Sequence, residues 1–196
     1  MKTDNVTLMR MAQKSLRGKW GLAIGTFLVY TLLTSGFGVA RQTGIISLLV
    51  GGPFALGAAT FSLSISRGKE ARLEQIFNGF RYFSTALVTY LLMLLYVVVG
   101  LLLLIVPGII MVLRYSMTFY ILADNPSLTP RAALAQSQQI TEGSKWKLFY
   151  LCMRFLGLAL LCVLTLGIGF LWLIPYVNVT MAEFYEDLIH PPFTLQ

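Results

Sequence analysis

The chain has 196 residues, 57% of them hydrophobic and 12% charged, with a net charge of +7. Soluble domains run at about 45–50% apolar and 25% charged, so a soluble enzyme is excluded and an integral membrane protein is expected. Uncharged runs at Gly21 to Ala40, Gln42 to Ser66 and Tyr82 to Leu113 can each cross roughly 30 Å of hydrocarbon, and the remainder is too short for a separate catalytic domain.

The first element is a basic amphipathic helix. Val6, Leu8, Met9, Ala12 and Leu16 recur near helical spacing, with Arg10, Lys14 and Arg17 between them, a pattern that suits an anionic membrane surface. The apolar run beyond it is too long for a signal peptide, so the first span, Trp20 to Ala40, is expected to be retained. Arg41-Gln42-Thr43 makes a short reversal into a second span, Gly44 to Ile65. Gly51-Gly52-Pro53 and Gly57-Ala58-Ala59 in that span allow either close helix packing or a kinked, discontinuous helix of the transporter type.

A second amphipathic segment follows, with Leu73, Ile76, Phe77 and Phe80 on one stripe beside Arg72 and Arg81. The third and fourth spans are Tyr82 to Val106 and Gly108 to Ala123, joined at Pro107-Gly108, a pair that ends one helix and lets the chain reverse. Thr129 as N-cap and Pro130 at the first helical position begin a third polar helix running to Ile140. The fifth and sixth spans, Leu148 to Leu166 and Gly169 to Phe184, turn at Gly167-Ile168-Gly169. The fold class is therefore all-α, an integral membrane protein of six spans in three hairpins, each preceded by an interfacial helix.

Twelve of the fifteen Lys and Arg residues lie before the first span or in the connections Arg67 to Arg81 and Asp124 to Lys147. By the positive-inside rule those segments, and both termini, belong in the cytoplasm. The expected location is the bacterial plasma membrane. Glycine, cation and large aromatic recur at Gly18-Lys19-Trp20, Gly79-Phe80-Arg81-Tyr82 and Gly143-Ser144-Lys145-Trp146. Lys19, Trp20, Arg81, Tyr82, Lys145 and Trp146 are the interfacial anchors, and their spacing suggests repeat units 1–66, 67–123 and 124–190 within one membrane domain, 1–196.

Ionisable groups at membrane depth are the pointers to function. Arg154 lies thirteen residues before Gly167 and Glu183 fourteen after Gly169, so an antiparallel hairpin puts them at one depth, as an ion pair. Arg114 follows the Pro107-Gly108 turn by six or seven residues, which places it about 10 Å below the outer surface. With Tyr115, Ser116, Tyr176 and Asn178 it forms a candidate intramembrane polar site for a carboxylate or lipid phosphate. No phosphate loop, zinc-spaced cluster or activated nucleophile is present, so neither catalysis, metal nor cofactor is expected. Cys152 and Cys162, ten residues apart on one helix, are about 15 Å apart, too far for a disulfide.

Gly18 to Gly21, Ile76-Phe77-Asn78-Gly79-Phe80, Val106-Pro107-Gly108-Ile109-Ile110, Arg114 to Met117, Ile121-Leu122-Ala123-Asp124-Asn125-Pro126 and Ala182 to Leu188 resemble stretches of the bacterial integral membrane proteins grouped as domain of unknown function 975. The likeness runs from about Arg10 to Leu188. It implies a multi-pass plasma-membrane protein and supplies no activity; it also implies an uncharged residue where this chain has Arg154. Three roles remain open from the sequence. One is a non-enzymatic accessory component assisting transport or assembly of a membrane complex, docking through Leu73, Phe77 and Phe80. The others are a small oligomeric transporter or channel for an anionic or amphipathic solute, and a binder of anionic lipid. Expected partners are anionic headgroups at the cytoplasmic face and a protein partner or second copy, with no nucleic acid.

Overall fold

The computed structural model describes residues 3–39 and 44–190; among them the regular elements are all helices, joined by short turns and irregular segments. In chain order the helices are α1 (Asn5–Ser15), α2 (Trp20–Val39), α3 (Gly44–Ser66), a 3-10 helix (Leu73–Tyr82), α4 (Phe83–Leu103), α5 (Ile105–Tyr115), α6 (Thr118–Asp124), α7 (Pro130–Thr141), α8 (Lys145–Leu164) and α9 (Phe170–Ile189). Among the described residues, four helical segments are long and apolar enough to cross a membrane: Leu48–Ser66, Leu73–Leu102, Val106–Asp124 and Lys145–Leu164. The Arg41-Gln42-Thr43 reversal lies outside the described residues.

Local chemistry sets the starts of α1 and α7. The Asp4 carboxylate accepts from the Val6 N–H at 3.1 Å and caps α1, and the Thr129 hydroxyl accepts from the Ala132 N–H at 3.3 Å behind Pro130 to cap α7. Both are the side-chain acceptors that orphan N-terminal N–H groups need.

The third reversal departs from the sequence expectation. Pro107 and Gly108 are not the turn; the chain reverses at Leu104, in extended conformation, and Pro107 sits in the first turn of α5, where its missing N–H costs no helical bond. Gly108 instead lets α5 close on α4, since a Cβ there would lie 2.3 Å from the Leu101 side chain. The fourth span is also broken, at Ser116 and Met117, into α5 and α6.

The two central helices are α3 and α9, and most other elements pack against one or both of them. The span within α3 is 61% buried, against 17% for the spans that include α4 and α8, so the last two are outer helices. Their exposed faces are rows of Leu, Val and Tyr, a surface suited to hydrocarbon and not to water. One core gathers Leu56, Leu63, Met117, Ile121, Leu122 and Phe184. The other joins α1, α2, α3 and α9 through Leu16, Phe27, Phe61, Ile65 and Val179.

The Gly51 to Gly57 stretch serves close packing. A Cβ on Gly57 would fall 1.8 Å from the Ile76 carbonyl oxygen, and one on Gly79 would fall 1.9 Å from that of Pro53. The 3-10 helix therefore crosses α3 backbone against backbone, with Ile76 fully buried. Its outer stripe, Phe77 and Phe80, stays exposed while both rings meet Phe54 edge to face.

Candidate functional site

The C-terminal half of α9 ties the chain together at the end of the bundle where α8 begins. Arg67, just past α3, grips both carboxylate oxygens of Asp124 at 2.6 and 2.7 Å and donates from Nε to Glu186 at 2.7 Å. The Tyr185 hydroxyl donates to Asp124 at 3.0 Å. Lys147 pairs with Asp187 at 2.7 Å, and Asp187 also accepts from the Thr3 hydroxyl and, at 3.1 Å, from the Thr3 N–H. Burial alone raises a carboxyl, but at Asp187 the bonds from Lys147 and Thr3 outweigh it and hold the group below the usual carboxylate range.

These contacts also fix α1. Ser15 donates to Glu183 at 2.8 Å, the Tyr176 hydroxyl donates to the Met9 carbonyl at 3.1 Å, and the Asn5 amide donates to the Lys147 carbonyl at 2.8 Å. With Leu8, Ala12 and Leu16 fully buried beneath the helix, its opposite face is committed to the surface. That face carries Arg10, Gln13, Lys14 and Arg17, all exposed.

Beside it runs a groove floored by α9 and walled by α8 on one side and α1 and the start of α2 on the other. A cavity of about 530 Å³ is lined by Met9, Gln13, Trp20, Leu158, Leu161, Leu173 and their neighbours up to Thr165 and Gly169. It continues into a second, of about 470 Å³, that shares Met9, Leu158 and Tyr176 and adds Arg10 and Arg154. A third, of about 320 Å³, shares Gln13 and Trp20 and is otherwise lined by Arg10, Lys14 and Arg17. From Arg154 to Thr165 along α8 the groove is about 16 Å long.

Among the described residues, no carboxylate lines any of the three cavities. Among the described residues, the ion pairs join Arg67 to Asp124 and Glu186, Arg72 to Glu70 and Lys147 to Asp187. The four cations at the groove mouth are in none of them. The arrangement is an apolar channel that ends in concentrated, uncompensated positive charge.

The structure does not bring Arg154 and Glu183 together. Glu183 is 5% exposed and turned toward Ser15, while Arg154 is exposed on α8 beside Arg10. The Arg114 set is dispersed as well. Tyr115 stacks on Tyr96 at 5.5 Å, and the Ser116 hydroxyl donates to the Leu113 carbonyl at 2.8 Å. Tyr176 faces α1, and the Asn178 amide donates to Ile174 in its own helix at 2.9 Å. Arg114 shares a cavity with Lys145 and Trp146, where α8 begins, and does not lie near the Leu104 reversal. The turn sits elsewhere than the sequence placed it, and α7 fixes the Arg114 backbone, its carbonyl accepting from Ser137 at 2.7 Å.

Of the anchors, Trp20 lines the groove and Lys19 donates to the Lys69 carbonyl at 3.1 Å. Arg81 and Tyr82 are exposed at the start of α4, and Trp146 is exposed at the start of α8 with Lys145 half-buried beside it. Cys152 and Cys162 are free thiols. The network of Arg67, Asp124, Tyr185, Glu186, Lys147 and Asp187 escaped the sequence reading. Its one signal is that these ionisable residues fall where helices end or begin.

The sequence model of a family described as "Protein of unknown function (DUF975)" matches residues 92–190, just over half of the chain. The match takes in the stretches Val106 to Ile110, Arg114 to Met117, Ile121 to Pro126 and Ala182 to Leu188. No curated protein and no solved structure matches the chain.

Proposed function

This chain belongs to the DUF975 family, and we propose that it is a six-span, non-enzymatic protein of the bacterial plasma membrane that holds an anionic phospholipid of the cytoplasmic leaflet. Both termini and the ends at which α2, α4 and α8 begin face the cytoplasm, in keeping with twelve of fifteen cations in the segments at that end. The observation that carries the reading is the apolar groove closed at one end by Arg10, Lys14, Arg17 and Arg154. Acyl chains fit its Leu158, Leu161 and Leu173 walls, and a phosphate meets the cations at its mouth, where guanidinium forks suit phosphate oxygens.

The transport reading relied on Arg114, Tyr176 and Asn178 lining one site, and these residues point to three different neighbours. The accessory-component reading relied on Leu73, Phe77 and Phe80 as a docking face; the segment that bears them packs on α3 through Ile76 and Gly79 and leaves Phe77 and Phe80 exposed, so that reading keeps its surface and stands as the alternative. Lipid binding needs neither.

The test is native mass spectrometry of protein exchanged from nanodiscs of equal phosphatidylglycerol and phosphatidylcholine. The wild type retains the anionic lipid preferentially, and the Arg10→Gln/Arg154→Gln double variant retains fewer. Equal retention of both lipid classes by the wild type, or no loss in the variant, overturns the reading.

A further inference from the structure

A separate cavity of about 470 Å³ lies between α5 and the start of α8, with Val106, Ile109, Ile110, Leu113, Arg114 and Lys145 among its lining residues. Its walls are apolar except for two cations. The Arg114 Nε is shut off from solvent and has no hydrogen-bond partner, an uncommon condition for a charged donor, and the half-buried side chain leaves the terminal guanidinium nitrogens as the donors that a ligand oxygen in the cavity can meet. No carboxylate lines the cavity, and neither Arg114 nor Lys145 belongs to an ion pair among the described residues. Glu142, three residues before Lys145, is exposed and outside the lining.

We infer that this cavity is a second lipid site, in which the phosphate of an anionic phospholipid bridges Arg114 and Lys145 and one acyl chain lies along Val106, Ile109, Ile110 and Leu113. Leu113 beside Arg114 is buried, and α7 fixes the Arg114 carbonyl through the Ser137 hydroxyl, so the side chain leaves a fixed backbone position. The first turn of α8 has no acidic residue, which leaves its N-terminal dipole free to add to the same positive field. Trp146, 75% exposed, stands where an indole sits among headgroups. A free phosphate would satisfy the two cations and leave the apolar wall unused; a lipid uses both.

The inference rests on the lipid-binding reading but on different residues, since α8 separates the two sites and no lining residue is shared. Retained lipids are counted by native mass spectrometry in the wild type, in Arg114→Gln, in Ile110→Trp, which fills the cavity and keeps both cations, and in the groove variant Arg10→Gln/Arg154→Gln. The wild type keeps two anionic lipids, Arg114→Gln and Ile110→Trp each keep one, and the groove variant keeps the other. If Arg114→Gln and Ile110→Trp both keep two, the second site is overturned while the groove stands. If the groove variant keeps two and Arg114→Gln keeps one, the groove fails and this site stands. Should inorganic phosphate raise the melting temperature of the wild type and of Ile110→Trp equally, with Arg114→Gln unresponsive, the occupant is a free anion and the lipid assignment is overturned.

Discussion

Arg67 and Asp124 stand 57 positions apart in the chain and meet through two parallel bonds, Nη1 to Oδ1 at 2.6 Å and Nη2 to Oδ2 at 2.7 Å. The pair joins the end of α3 to the end of α6, and the Nε bond to Glu186 draws in α9. Lysine keeps the charge but has no fork. Arg67→Lys is expected to lower stability by about 1–3 kcal/mol, read as a lower thermal midpoint in detergent, and Asp124→Asn in that background to add little. Full additivity of the two changes would show that the residues act independently.

Asp187 gives the protein an acid limit. Its folded-state pKa lies below the unfolded value of about 3.9, so its contribution is complete above about pH 5 and is lost as pH falls through the folded value. Because Thr3 and Lys147 are its partners, the first loss is the hold on the segment before α1. Proteolysis within the first ten residues is therefore expected to accelerate at low pH in the wild type, and Asp187→Asn to show the fast rate already at neutral pH. A pH-independent rate in the wild type would count against this.

Gly57 has no room for a methyl group. A Cβ 1.8 Å from the Ile76 carbonyl oxygen must push the 3-10 helix off α3, and backbone has little freedom to yield. Gly57→Ala is expected to cost about 3 kcal/mol or more, seen as loss of monodisperse protein. Gly25→Ala, with nothing within 4 Å of its Cβ, is the control and should be neutral or stabilising. Similar behaviour of the two would contradict the crossing.

The proposed topology puts Glu70 in the cytoplasm and Leu166, 94% exposed at the α8–α9 turn, outside. With Cys152→Ala and Cys162→Ala as background, Leu166→Cys is expected to react with a membrane-impermeant maleimide in intact cells, and Glu70→Cys only after permeabilisation. The reverse pattern would invert the protein.

Much of the fold was legible because its signals are local. Runs of apolar residues mark the helices, Asp4 and Thr129 cap α1 and α7, and Gly167, at φ +85°, belongs to the last reversal. Leu104 was not legible as a turn, since the extended residue has no turn-forming chemistry and the glycines that make the hairpin tight, Gly100 and Gly108, flank it. The break at Ser116 and Met117 has no breaker residue either.

The site divides in the same way. Arg10, Lys14 and Arg17 could be placed on the outer stripe of α1 from spacing alone, because one face of an isolated helix is a matter of periodicity. Depth along a hairpin is also arithmetic, at 1.5 Å per residue. Azimuth is not: each residue turns the helix by about 100°, and how α8 and α9 are rotated against each other depends on every side chain packed between them. Arg154 and Glu183 were therefore assigned similar depths, yet the packing turned one to the surface beside Arg10 and the other inward to Ser15. The sequence by itself determined the apolar helices and the end that carries the charge. Only the tertiary structure decided which cations are spent in pairs and which, among the described residues, stay outside them.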